Sequence, residues 1–201
     1  MKKRIVTFLS VLLIVGCENQ GKKNSGSIDK ANNNIETKDI VTKTGKTFVI
    51  IEDHSLGSSL SNIKLEARDF EETNEVFTLG ENDPIEDVFL ADLDYNGFEE
   101  LYITTRSAGS GSYSNVFGFA SNNDKSVSPI YVPENMNEKN FYAGFRGHNK
   151  FSVTEGKFID TFPVYNEEDT NSSPTGGDRQ VQYILIPGEA GWILKPVKII
   201  P

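Results

Sequence analysis

Two neighbouring stretches of the sequence carry the residue types that could do chemistry. The first is an acidic loop, DLDYNGFEE, which runs from Asp92 to Glu100. The second, SAGSGSY, runs from Ser107 to Tyr113 and is called the glycine loop below. Residues 101–106 between them are mostly β-branched, aromatic or aliphatic, which favours a strand. The pattern predicts loop, strand, loop and strand over residues 92–119, and we expect the function to lie here.

The acidic loop fits the pattern D-x-D-x-N-G-x-x-E, which is typical of calcium sites. Calcium prefers several oxygen ligands, and Gly97 would permit the sharp turn that such a loop needs. A full EF-hand also requires a glutamate at position twelve, which is Ile103 here, so at most a shorter loop of nine positions is present. Glu99 is an alternative to Glu100 as the last ligand. The other interpretation is a turn with a β-bulge, in which the Asp and Asn side chains cap their own backbone. The candidate calcium ligands are Asp92, Asp94, Asn96 and Glu100.

The glycine loop matches neither of two common motifs. A nucleophile elbow fails because Ala108 and Ser112, not glycines, flank Ser110 at the required spacing. A dinucleotide-binding loop fails because the third glycine is absent and no helical pattern follows. A recognition loop and a plain hairpin connection remain, and Ser, Gly and Tyr are favoured in binding loops. The residues that would form or shape a recognition loop are Gly109, Ser110, Gly111, Ser112 and Tyr113.

The sequence shows no assembled catalytic pattern. A nucleophile, a base and an orienting group would have to meet in a triad, but the two histidines, His54 and His148, each lie in a polar, loop-like context. Paired glutamates such as Glu167 and Glu168 are typical of solvated surfaces in an acidic protein. Nothing in the residues therefore signals enzymatic activity or a required cofactor.

The N-terminus predicts a bacterial lipoprotein. Residues 1–16 combine a basic start with a short apolar run, as secretory signals do, and this run is too short for a permanent membrane span. The following residue, Cys17, is the single cysteine of the chain and ends a lipobox-like sequence, L-I-V-G-C. Lipid on Cys17 would anchor the protein to a membrane of the cell envelope, facing the periplasm or the surface. The mature chain would then contain no free thiol.

Charge and composition narrow the class of partner. The net charge is -9, and removal of residues 1–16 takes away three of the 20 basic residues and none of the 29 acidic ones, which leaves -12. Such a charge argues against nucleic acid, and it is compatible with a cationic protein partner and equally with plain solubility, the commoner reason for an acidic surface. Residues 17–39 are polar and nearly free of apolar side chains, so we expect the lipidated Cys17 to continue into a disordered tether.

The rest of the chain, residues 40–201, predicts one all-β domain. Short alternating or apolar runs recur, with Gly, Asn, Pro or Asp between them, and no window keeps a 3.6-residue period over several turns. This pattern favours a mostly antiparallel β-sandwich or flattened barrel. A homodimer is one oligomeric state that the sequence leaves open.

Several blocks of the chain resemble the periplasmic inhibitors of invertebrate-type (I-type) lysozyme, including their lipid-anchored relatives. The most specific block is DPIEDVFLADLDYNGFEELYITTRSAGSGSYSNVFGFASNNDKSVSPIYVPE, in which SAGSGSY follows an acidic loop and a strand. Weaker blocks are GHNKF, FPVY, PTGGDRQVQY and GEAGW, and together the blocks cover much of residues 83–192.

The resemblance implies an antiparallel β-domain whose protruding loop enters the lysozyme cleft. The matching positions here are Ser110 and Tyr113, and Gly109, Gly111 and Ser112 would shape the loop. The long tether and the acidic stretch 166–170 have no counterpart in this resemblance. If the resemblance does not extend to function, a calcium-stabilised β-module that binds a glycan or a surface protein is the alternative.

Overall fold

The protein folds into two β-sheets. The structure is a computed structural model and describes residues 34–133 and 139–200. Within these ranges the chain forms twelve strands and one helical turn: β1 (Ile35–Val41), β2 (Thr47–Asp53), β3 (Ser61–Arg68), β4 (Val76–Asn82), β5 (Ile85–Ala91), β6 (Glu100–Arg106), β7 (Ser114–Ser121), β8 (Val127–Tyr131), α1 (Lys139–Tyr142), β9 (Lys150–Thr154), β10 (Lys157–Pro163), β11 (Asp178–Pro187) and β12 (Trp192–Ile200).

The first four strands form an antiparallel sheet in the order β1-β2-β3-β4, called the small sheet below. The strand β3 shows why one face of it is buried. Ile63, Leu65 and Ala67 alternate with Lys64 and other polar residues, and the apolar set is buried throughout. Because successive side chains on a strand point to opposite faces, this alternation gives the small sheet one apolar face that must be covered.

The other eight strands form the large sheet, in the order β5-β6-β7-β8-β12-β11-β10-β9. The sheet curls until it is nearly closed, so that Phe89 on β5 and Phe158 on β10 meet edge to face across its interior with ring centroids 6.3 Å apart. All neighbouring strands are antiparallel except β8 and β12, which pair in parallel through Trp192 opposite Ile130.

The strand β6 contributes to both hydrophobic cores. Leu101 and Ile103 point outward and pack against the small sheet, in a core that also contains Phe48. Tyr102 points the other way, into the barrel-like interior, with its ring centroid 4.7 Å from that of Phe158. Burial on both faces makes β6 the most enclosed strand of the site region, and it is the strand from which both candidate loops extend.

The structure confirms the predicted fold class, an all-β sandwich of a small sheet on a barrel-like sheet, but it moves one boundary. Strand β1 begins at Ile35. The prediction of a disordered tether up to residue 39 is therefore wrong for residues 35–39. Their side chains are mostly exposed, so they show no hydrophobic periodicity, and they are ordered by pairing with β2.

Residues 1–33, including Cys17, lie outside the described residues. Within residues 34–133 and 139–200, no helix is long and apolar enough to span a membrane.

Candidate functional site

The two candidate loops lie at opposite ends of β6. The acidic loop leads into Glu100, the first residue of β6, and the glycine loop follows Arg106, the last. Seven residues of strand rise about 20 Å, so the structure does not bring the two loops into one site. Each loop is therefore a separate candidate.

The acidic loop gathers three carboxylates. One oxygen each from Asp92, Asp94 and Glu100 lies within 4.8 Å of the other two. Backbone amides also bind these groups: the N–H of Asn96 donates to Asp92 Oδ1 at 3.0 Å, and the N–H of Gly97 donates to Asp92 Oδ2 at 3.0 Å. The loop thus combines a turn capped by its own side chains with a cluster of three acids.

Glu100 is buried within this cluster. Its Oε2 accepts hydrogen bonds from the Leu93 amide at 2.9 Å and from the Tyr102 hydroxyl at 3.4 Å. Burial raises the pKa of Glu100 to about 8, and the nearby charges of Asp94 and Asp92 add to the rise. Burial also raises the pKa of Asp94. A cation at this position would favour the charged forms and reverse these shifts.

Two residues considered as calcium ligands, Asn96 and Glu99, use their side chains for other hydrogen bonds. The Asn96 amide turns toward its own loop, because Oδ1 accepts from the Phe98 N–H at 2.7 Å and Nδ2 donates to Asp94 Oδ2 at 2.9 Å. Glu99, the alternative to Glu100, instead accepts the Lys43 N–H at 2.7 Å and ties the acidic loop to the turn between β1 and β2. The group that could hold a metal ion is therefore Asp92, Asp94 and Glu100, and neither Asn96 nor Glu99 adds an oxygen to it.

The glycine loop is closed at its base and bent at its tip. The Ser107 N–H donates to the Tyr113 carbonyl at 2.9 Å, and the Tyr113 N–H donates to Ser107 Oγ at 2.9 Å. The tip is a turn in which the Ser112 N–H donates to the Gly109 carbonyl at 2.9 Å. Ser112, rather than either glycine, has the left-handed backbone, with a φ of 43°.

The two glycines of the loop have different roles. A Cβ on Gly111 would lie 2.4 Å from Cε2 of Tyr113, so the absence of a side chain lets the tyrosine ring lie against the loop backbone. A Cβ on Gly109 would meet nothing within 4 Å. A side chain at Gly111 would therefore displace the Tyr113 ring, whereas the surroundings of Gly109 would accept a methyl group.

Distant segments support the glycine loop from two sides. The His148 N–H donates to the Gly111 carbonyl at 2.7 Å, and Gly147 lies so close that a Cβ there would be 2.0 Å from the same oxygen. On the other side Asn171 Nδ2 donates to the Ser110 carbonyl at 3.2 Å. Sequence reasoning did not find these supports, because they lie 36 to 61 residues from the loop along the chain and carry no local pattern.

Arg106 and Asn149 join the loop to the interior of the large sheet. Nη1 of Arg106 donates to the Ser112 carbonyl at 2.8 Å, and Nη2 donates to the Asn149 carbonyl at 2.7 Å. The Asn149 side chain is fully buried and bonds both backbone groups of Ser114. Its Nδ2 also donates to Asp160 at 3.1 Å, so the loop rests on a continuous buried polar network.

The tip of the glycine loop presents two hydroxyl groups to solvent. Ser110 is exposed and Tyr113 is 44% exposed, and within residues 34–133 and 139–200 neither hydroxyl has a hydrogen-bond partner. The Tyr113 ring is held edge to face against Phe145, with centroids 5.8 Å apart. The side chains are thus positioned by the backbone and by ring packing, while their hydroxyl groups stay available.

An acidic segment lies next to the glycine loop. Residues 166–170 precede Asn171, which touches the loop, and Glu167 and Glu168 are exposed there. Arg146 donates to the carbonyl groups of Asp169 and Asn166 at 2.7 and 2.9 Å and lies 5.2 Å from the Tyr165 ring centroid, which fixes the segment. The surface around the loop therefore has a negatively charged rim.

The two histidines are less solvated than expected. His148 lies against the glycine loop, and its Nε2 is buried with no partner among the described residues. His54 is partly buried beside Glu52 and Ser61.

Comparisons with protein-family models, with curated proteins and with solved structures found no match for this chain. The functional assignment therefore depends on the site itself and on the resemblance of the sequence blocks.

Proposed function

We propose that this protein is a lipid-anchored inhibitor of lysozymes of the invertebrate type and that it has no enzymatic activity of its own. The observation that carries the proposal is the glycine loop, which presents the exposed side chains of Ser110 and Tyr113 on a backbone supported from two sides. The family that the sequence resembles uses a loop of this composition to block the lysozyme cleft.

The chemistry of the loop suits the cleft of a lysozyme. Glycosidases of this kind hold two carboxyl groups beside the scissile bond. Hydroxyl donors from Ser110 and Tyr113 would bond these carboxyl groups, and the tyrosine ring would occupy a sugar subsite. Because the loop is already held by Arg106, His148 and Asn171, little conformational entropy would be lost on binding.

Charge and anchoring support the same function. The acidic rim at Glu167 and Glu168 would attract a basic lysozyme and raise its association rate. Lipid on Cys17 would hold the inhibitor in the cell envelope, in the periplasm or at the surface, where lysozyme attacks the cell wall. Lysozyme is thus the proposed protein partner, and the membrane is contacted through the lipid.

A cell-wall turbidity assay tests this function. Residues 32–201 are titrated against lysozymes of the invertebrate, chicken and goose types. We expect inhibition of the invertebrate type and at least a hundredfold loss of potency in the double variant Ser110→Ala/Tyr113→Ala. Tyr95→Ala is the matched control, since Tyr95 is 77% exposed but lies at the other end of β6. The absence of inhibition of all three lysozymes at micromolar protein would exclude the proposal.

A second candidate is a calcium-stabilised β-module that binds a glycan or a surface protein. The specific observation in its favour is the cluster of Asp92, Asp94 and Glu100, whose oxygens lie within 4.8 Å of one another. Calcium would stabilise the start of β6. Because the glycine loop extends from the other end of the same strand, both functions are compatible in one molecule.

A further inference from the structure

The connection between β10 and β11 is longer than the two strands require. Pro163, the last residue of β10, lies directly opposite Asp178, the first residue of β11, in the antiparallel pair. A hairpin of this kind needs a connection of only about two to five residues. Residues 164–177 fill it instead, and none of them belongs to a strand of either sheet. Connections of this length without secondary structure are uncommon in compact domains and are usually functional.

The outer part of this connection, residues 166–175, is called the 166–175 loop below, and one carboxylate joins its two ends. Asp169 Oδ2 accepts the N–H of Asn166 at 2.7 Å and the N–H of Thr175 at 2.8 Å, and Oδ1 accepts the Thr175 hydroxyl at 2.7 Å. Arg146 donates to two carbonyl groups of the same loop. The loop is therefore well ordered although nearly all of its residues are exposed.

The tip of the 166–175 loop is fixed against the glycine loop. The Tyr165 hydroxyl donates to the Asn171 carbonyl at 3.0 Å, and Asn171 Nδ2 donates to the Ser110 carbonyl at 3.2 Å. The Ser173 N–H donates to the Thr170 carbonyl at 3.1 Å, which closes a turn at the tip. Residues 170–173 therefore lie beside Ser110, and the two loops present one continuous surface.

This tip has the composition of a binding loop. Residues 170–173 read Thr-Asn-Ser-Ser, and all four are exposed. Ser and Asn supply adaptable hydrogen bonds in binding loops. The hydroxyls of Thr170 and Ser172 lie 3.4 Å apart and have no other hydrogen-bond partner among residues 34–133 and 139–200. The arrangement repeats that of the glycine loop, in which a supported backbone presents exposed hydroxyls.

We propose that residues 170–173 form a second recognition surface, which contacts the wall of the lysozyme cleft while the glycine loop enters the cleft. This inference rests on the function proposed above and adds contacts with the same partner. A cleft that holds a polysaccharide forms hydrogen bonds with sugar hydroxyls. The hydroxyls of Thr170 and Ser172 would take the place of such sugar hydroxyls next to the tip of the glycine loop.

The two parts of the 166–175 loop would act in different ways. Glu167 and Glu168 act at a distance, because charge raises the association rate. Thr170 and Ser172 act by direct contact and therefore slow dissociation. Since both loops are ordered before binding, these contacts would add affinity at little entropic cost.

Inhibition constants for invertebrate-type lysozyme, measured with the full chain, test the proposal. We expect Thr170→Ala/Ser172→Ala to weaken inhibition about tenfold, as for the loss of two hydrogen bonds. Thr44→Ala is the matched control and should stay within about twofold of wild type. It alters an exposed residue in the turn between β1 and β2, which contacts the acidic loop at the other end of β6.

Hydrogen exchange gives a second measurement that does not depend on a substitution. The amides of residues 170–173 should exchange more slowly in the complex with lysozyme than in the free inhibitor, whereas those of residues 43–45 should not change. Unchanged exchange at residues 170–173 in an inhibited complex would overturn this inference and leave the inhibitory function intact, and so would a double variant within twofold of wild type. A wild-type chain that inhibits no lysozyme would instead exclude the function and this inference with it.

Discussion

Arg106 Nη1 donates a 2.8 Å hydrogen bond to the carbonyl oxygen of Ser112, the residue of the glycine loop with left-handed backbone. The same guanidinium group pairs with Glu86, with Nη2 2.6 Å from Oε1. A non-glycine residue in this conformation needs support from its surroundings. The last residue of β6 therefore stabilises the bend of the loop that follows it, and the strand and the loop tip behave as one unit.

Replacement of Arg106 by lysine distinguishes the effect of the positive charge from the effect of the planar guanidinium group. Arg106→Lys keeps a positive charge near Glu86 but loses the planar group that reaches Ser112 and Asn149 together. We expect a loss of about 1–3 kcal/mol in the free energy of unfolding, as for hydrogen bonds to charged groups, because the site is only partly exposed. Urea unfolding measures this loss, and lysozyme inhibition should fall with it.

The control for Arg106 is a cation in an exposed pair. Lys125 lies 3.4 Å from Glu72, and both side chains are more than half exposed. Lys125→Met should change the free energy of unfolding by no more than about 0.5 kcal/mol. Equal stability of Arg106→Lys and wild type would show that the guanidinium contacts do not hold the loop.

The two glycines of the loop form a matched pair of substitutions. Gly111→Ala places a methyl group 2.4 Å from the Tyr113 ring, so the ring must move. The atom displaced is the far end of a side chain, and we therefore expect little loss of stability but at least a tenfold loss of inhibition. Gly109→Ala meets nothing within 4 Å and should stay within twofold of wild type. Inhibition constants for invertebrate-type lysozyme measure both, and equal potency of the two variants would refute the assigned role of Gly111.

Much of this arrangement could be predicted from the sequence, but its supports could not. The alternation in residues 101–106 predicted a strand, and the Ser/Gly composition predicted an exposed loop after it, because both depend on local preferences. Asn171 and His148 support the loop through contacts between distant segments, which leave no local signal. Strand β1 was missed for a related reason, since an exposed edge strand has no apolar periodicity and is ordered by pairing with β2.

The buried network beneath the loop should make stability depend on pH. Asp160 is fully buried, and burial raises its pKa to about 6, although hydrogen bonds from Asn149 and Tyr142 oppose the rise. The unfolded chain has an ordinary aspartate pKa of about 3.9. Between these two values the folded state binds more protons than the unfolded state, so stability falls as the pH rises from about 4 to 6 and then levels off.

The Asp160 contribution can be isolated by subtraction. Chemical unfolding of wild type and Asp160→Asn is measured from pH 4 to pH 8, and the difference removes the contributions of all other carboxylates. We expect wild type to lose of the order of 2 kcal/mol relative to Asp160→Asn as the pH rises across this range. A difference that is independent of pH would contradict the raised pKa of Asp160.

The acidic loop leads to a prediction that distinguishes a calcium site from a self-capped turn. Without a cation, the Glu100 pKa of about 8 means that stability falls as the pH rises from about 4.5 to 8, because the buried carboxyl group must lose its proton. Calcium bound to Asp92, Asp94 and Glu100 would favour the charged form and remove this loss. Thermal unfolding at pH 6 and pH 8, with calcium or with a chelator, should therefore show a larger rise in Tm from calcium at pH 8.

Substitution of the first ligand completes this test. Asp92→Asn should abolish the rise in Tm caused by calcium, whereas Glu189→Gln, at an exposed position in the turn between β11 and β12, should retain it. A self-capped turn predicts a different outcome, because Asp92 would then act only through its bonds to the amides of Asn96 and Gly97. In that case Asp92→Asn would lower Tm by the same amount with and without calcium, and millimolar calcium would leave the wild-type Tm unchanged at both pH values.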